Sequence, residues 1–168
     1  MKGNTSTVNF TSLICATACA AFSAITRIVS GSPFDTVHKL DTCDMIPPMW
    51  IFNLLSVIWA FIIGLAAGGI VTAVSSGRCG GASQISAYRG GLFFISSFFF
   101  GIIWYPTFFC SHSLLIALLL ALCALICNVV CAFNWYNLPV AAPPLIMSAY
   151  VLWLFYIVFM NISVFMHN

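Results

Sequence analysis

From Gly90 to Asn168 the chain contains no Asp, Glu, Lys or Arg, and no other feature narrows its fold as much. About a quarter of the residues of a soluble domain are charged, so a half-chain with none cannot cover itself with a hydrated surface. Lipid is the solvent that remains. The rest of the sequence agrees, because 62% of residues are hydrophobic, only 5% are charged, and glutamate is absent. A chain of this kind is read as an all-α, multi-pass integral membrane protein, placed in the cell membrane and in contact with membrane lipid.

Sparse charge also excludes a partner class. Lys2, Arg27, Lys39, Arg78 and Arg89 stand against Asp35, Asp41 and Asp44, a net +2. That is too little to make an electrostatic footprint for nucleic acid. Of the eight cysteines, Cys15, Cys19, Cys123, Cys127 and Cys131 fall inside apolar runs, where cysteine behaves as a small hydrophobe. Cys43, Cys79 and Cys110 lie at segment ends. A Cys43–Cys79 bridge would need both on one side of the membrane, which the single crossing between them opposes.

Apolar runs long enough to cross a bilayer divide the chain into five spans, at 10–29, 46–74, 90–109, 114–133 and 140–165, in a single membrane domain covering 1–168. The expected architecture is a five-transmembrane-helix bundle with its termini on opposite sides. A cleaved signal peptide competes for the first run, on the strength of Lys2 and the small residues Ala18-Cys19-Ala20-Ala21, but its charged head is weak. Ala16, Ala20 and Ala24 recur every fourth residue and give that span a smooth face for close helix contact. Positive charge is too evenly split between the two sides to set the orientation.

The second span carries the densest information. Pro47-Pro48 opens it, in keeping with the tolerance of a helix's first turn for a missing N–H, and Trp50 and Phe52 follow. Gly64 and Gly68 then permit close approach of another helix, either within the bundle or between two copies of the chain. The third span ends in Trp104-Tyr105 beside Pro106, an aromatic interfacial end. In the fifth, Tyr150 and Trp153 precede Met160-Asn161.

With Pro47, Pro48, Trp50, Phe52 and Gly64 in one span and Tyr150, Trp153 and Asn161 in another, the chain resembles the translocator protein family, also called the peripheral benzodiazepine receptor or tryptophan-rich sensory protein (TspO) family. Pro106 and Ala141-Ala142 also sit where that family places a Pro and an Ala-rich stretch. The resemblance implies a membrane receptor or transporter-like protein that binds porphyrins or similar flat hydrophobic molecules in an aromatic intramembrane cavity, with a sensory or stress-response role. No cofactor is required; a porphyrin or haem-type tetrapyrrole would be a bound ligand, and pairing into a homodimer is common in the family. The implied cavity draws Trp50, Phe52, Ser56 and Trp59 from the second span and Phe93, Ser96 and Phe100 from the third. Trp153, Ile157 and Asn161 complete it from the fifth.

The chain departs from the family pattern inside that set. The second family Trp falls on Ser56 and a family Tyr on Ala60, with Trp59 placed to fill the same volume. Counting back from Pro106, the family Asn and Trp fall on Phe93 and Ser96. Ala149 replaces a Pro, and Leu40 to Ile46 replace the Trp-Tyr and Lys-Pro elements that usually precede the double proline.

Other clusters have weaker claims. Asn128 and Asn161 are amides in apolar runs, each requiring a partner on another helix, a backbone carbonyl, water or ligand. Cys123, Cys127 and Cys131 repeat every fourth residue and could hold a soft metal only with ligands the chain does not supply nearby; small-residue packing explains them. His38, Asp41 and Asp44 form the one titratable cluster, read as part of a loop that folds over the ligand mouth in the family, with acid–base chemistry as the other reading. A porphyrin-modifying membrane enzyme, and a small transporter or structural subunit without a ligand cavity, are the alternatives to a ligand-binding protein.

Overall fold

The computed structural model describes residues 10–30, 47–111 and 113–167. Five helices account for nearly all of them: α1 Phe10–Val29, α2 Met49–Ser75, α3 Ala82–Phe109, α4 Leu114–Tyr136 and α5 Ala142–His167. Each is long and apolar enough to cross a membrane, and no strand occurs among the described residues. The protein is an all-α five-helix membrane bundle. The cluster His38, Asp41 and Asp44 and the cysteine at 43 lie outside the described residues.

Neighbour relations close the helices into a ring. α1 packs along α2, α2 on α5, α5 on α4 and α4 on α3, while α1 and α3 meet over a much thinner edge. At that edge the Cys110 thiol donates to the Ser30 carbonyl at 3.0 Å. The span of α1 is 17% buried, against 33% for each of the others, so α1 is the helix least enclosed by its neighbours.

The glycine pair of α2 serves the inside of one bundle. A Cβ built on Gly64 would stand 2.6 Å from the Ala16 Cα, and one built on Gly68 would run into the Ser12 Cα. Two helix backbones therefore touch along the Ser12 and Ala16 face of α1, and this seam is closed to a second copy of the chain. Lipid tails are as apolar as leucine, so such close packing, rather than exclusion of water, holds membrane helices together.

Local chemistry explains the helix ends. The Pro48 carbonyl accepts from Ile51 N at 2.9 Å and Phe52 N at 3.2 Å, starting α2. At its other end Gly77 adopts φ +71°, Arg78 N donates to Ala73 O at 3.0 Å and Gly77 N to Val74 O at 3.1 Å. This is the paired Schellman closure, which needs a left-handed residue and so favours glycine.

Two expectations change. α3 starts at Ala82 instead of Gly90, which places Arg89 inside the helix. Tertiary contact explains the extension: Ala87 is buried, and the Trp135 indole of α4 lies so close over Gly90 that a Cβ there would collide with it. Trp104 and Tyr105, expected as interfacial anchors, are 3% and 1% exposed. Their polar edges are met within the bundle and do not turn out toward headgroups.

Candidate functional site

Two polar clips fix the aromatic end of α3. Trp104 Nε1 donates to Asn161 Oδ1 on α5 at 3.1 Å, while Asn161 Nδ2 donates to Ile157 O at 2.7 Å. The amide thus has both ends satisfied, and it holds a tryptophan across two helices. The Tyr105 hydroxyl donates to Asn53 Oδ1 of α2 at 3.1 Å. Farther along, Ser97 Oγ donates to the Ala124 carbonyl of α4 at 2.9 Å, and Asn128 Nδ2 to the Met147 carbonyl of α5 at 3.1 Å. Leucine at 161 would leave the buried Trp104 N–H without an acceptor, and thermal unfolding in detergent is expected to show a loss of about 1–3 kcal/mol. Adding Trp104→Phe should recover part of that loss, because the orphaned donor goes with the indole.

These clips frame a cavity of about 50 Å³ at the centre of the ring, to which all five helices contribute. α1 supplies Ser23 and Arg27, and α2 supplies Ser56, Ala60 and Ile63. Phe98, Gly101, Ile102 and Trp104 come from α3, Ala121 and Ala124 from α4, and Tyr150, Trp153, Leu154 and Ile157 from α5. Phe52 lies behind the wall, with its ring centroid 5.6 Å from that of Trp153 and 6.1 Å from that of Trp104. Trp153 also meets Tyr156 at 5.5 Å.

The residues expected from the sequence divide by helix phase. Ser56, Trp153 and Ile157 line the cavity; Phe52 and Asn161 are buried against its wall. Phe100 is half-buried and packs on the core. Trp59 does not occupy the space opened at Ser56 and Ala60, because its ring rests on Tyr150 at 5.7 Å and those two small residues themselves face the cavity. Trp50 is 69% exposed. Phe93 is 37% exposed, and the Ser96 hydroxyl donates back to Leu92 O at 3.0 Å. The inward face of α3 runs instead through Phe94, Ser97, Phe98 and Gly101, out of step with the count back from Pro106.

Sequence reasoning missed Arg27 and Ser23. Their signal was available, since an ionisable residue within a span is a functional candidate by default, but Arg27 stands near the end of its helix, where a basic side chain ordinarily reaches for headgroups. Here Arg27 NH1 donates to Ser23 Oγ at 2.8 Å and Ser23 O at 3.1 Å, and the guanidinium carbon lies 4.6 Å from the centroid of the Tyr105 ring. That arrangement turns the cation into the bundle and stacks it on an aromatic face. The cysteines of α4 do not share one environment: Cys123 is exposed, Cys127 intermediate and Cys131 buried. Among the described residues no group of three His, Cys, Asp or Glu is placed to hold a metal.

No curated protein matches the chain. The model of one family, the TspO/MBR family, matches residues 11–166 of the 168. With five membrane helices, the double-proline start of α2 and the Tyr150 and Trp153 pair on the wall of a central cavity, the chain belongs to the TspO/MBR family.

Proposed function

We propose that this membrane receptor or transporter-like protein binds porphyrins or similar flat hydrophobic molecules in its central cavity, and that occupancy serves a sensory or stress-response role. The observation that carries the reading is the cavity wall. Trp153, Tyr150 and Phe98 supply aromatic faces, suited to stacking on a flat ring, and Ser56 and Ala60 leave room beside them.

A volume of about 50 Å³ is far below the roughly 300–1,000 Å³ of sites that enclose drug-sized ligands. A porphyrin therefore enters by widening the ring. The thin α1–α3 edge is the part that yields with least loss of contact, and displacement of α1 on loading is a change that a partner or transport step can read. No covalent chemistry is required of the protein.

Titration of the detergent-solubilised full chain with protoporphyrin, followed by tryptophan quenching, tests the reading. Trp153→Phe is expected to weaken binding roughly two- to tenfold through loss of stacking area. Trp50→Phe should leave affinity unchanged. Unchanged affinity with Trp153→Phe would remove this cavity as the site.

A further inference from the structure

The cavity is chemically lopsided. Aromatic rings, Ala60, Ala121, Ala124 and Gly101 make most of its wall, and Arg27 is the only charged residue among those that line it. A guanidinium has five N–H donors and accepts nothing. NH1 is occupied by the two oxygens of Ser23, while Nε is buried and has no acceptor among the described residues. A buried donor left unmet is costly, and more so on a charged group, so this end of the cavity calls for an acceptor that carries negative charge.

From this geometry we infer that the site selects apolar ligands bearing a carboxylate and seats that carboxylate on Arg27, with the apolar body against Tyr150 and Trp153. The inference rests on the ligand-binding reading above and specifies what the ligand must carry. A planar carboxylate matches the guanidinium fork and can accept two parallel N–H bonds. It also suits the apolar remainder of the cavity better than a doubly charged phosphate, which is harder to desolvate. Ser23 and the Tyr105 ring act as the frame, holding the guanidinium away from headgroups before any ligand arrives. A neutral ligand of the same shape would fill the aromatic part and leave Arg27 as it stands, so the charge serves discrimination.

Two probes of one shape test this: protoporphyrin IX, with two carboxylates, and its uncharged dimethyl ester, each titrated into the detergent-solubilised full chain. The wild-type protein is expected to bind the diacid at least about tenfold more tightly, the discrimination of one charge-assisted hydrogen-bond pair. Arg27→Gln should remove that preference by weakening the diacid alone, and its retained binding of the ester shows that the cavity is intact. Arg27→Lys should keep part of the preference, because the charge stays while the paired N–H bonds of the fork are lost. Should Arg27→Gln lose both compounds, the lysine variant decides: retained preference supports the inference, and lost preference with the ester still bound overturns it. Equal binding of the two compounds by the wild-type protein, as an internal carboxylate partner for Arg27 would produce, overturns the inference and leaves the porphyrin reading standing. Binding of neither compound removes both.

Discussion

Gly68→Leu is expected to detach α1 from the bundle, with a stability loss of about 3 kcal/mol or more in thermal unfolding followed in detergent. The usual cost of forcing extra atoms into a packed site is about 1–3 kcal/mol, because side chains rotate away. That relief is missing here: the atoms that a Cβ at 68 would meet are the Cα and nitrogen of Ser12 and the carbonyl oxygen of Thr11, all backbone. Gly64→Leu should act alike, through the Ala16 Cα and the Cys15 carbonyl oxygen. Since α1 has only the thin edge with α3 to fall back on, the damage should be local. Thiol labelling reports it, because Cys19 is half-buried against the cluster built by α2, α3, α4 and α5 and becomes more reactive once α1 swings out. Gly69→Ala is the control. Its Cβ meets only the Pro143 ring at 3.6 Å, an ordinary contact, and the expected change is within about 0.5 kcal/mol. Wild-type unfolding of Gly68→Leu would mean that the α1–α2 seam is not where the structure puts it.

The number and approximate extent of the spans are legible in the sequence because lipid imposes them: an uncharged run must be long enough to cross, and every backbone polar group must be paired within a helix. What tertiary contact decides is not legible. Nothing in the polar stretch Ala82 to Tyr88 announces that α3 begins there; Trp135 closing over Gly90 does. Nor could the sequence choose between an internal seam and a dimer for Gly64 and Gly68, since both need the same smooth face, and only the position of Ser12 and Ala16 separates them.

The candidate site was legible by motif and illegible by phase. Trp153 and Ile157 point inward because Tyr150 and Asn161 fix the face of α5 between them. On α3 no motif survives to fix the face, and a count from Pro106 lands on Phe93 and Ser96, which turn away from the cavity. Arg27 is the instructive omission. A cation near a span end reads as a headgroup anchor until Ser23, one turn back, is seen to hold it inward.

Filling the cavity should abolish ligand binding while sparing the fold, and Gly101→Leu is the substitution that separates the two. Gly101 and Trp153 both line the cavity, and a Cβ at 101 meets nothing within 4 Å, so the first added atom enters open space and the rest of the leucine is expected to reach into the room between them. Leucine is also a better helix former than glycine by close to 1 kcal/mol, which offsets modest crowding. Unfolding of the ligand-free protein should therefore stay within about 1 kcal/mol of wild type, while affinity for protoporphyrin falls at least about tenfold, since an occupied site must be overpacked to admit the ring. Gly91→Leu is the matched comparison: its Cβ also meets nothing within 4 Å, and it lies off the cavity wall, so binding should be unaffected. The space at stake is the space left where Ser56 and Ala60 replace the aromatic residues of the family pattern. If Gly101→Leu bound protoporphyrin as the wild-type protein does, the ligand would have to sit elsewhere, and those two small residues would be packing choices with no bearing on recognition.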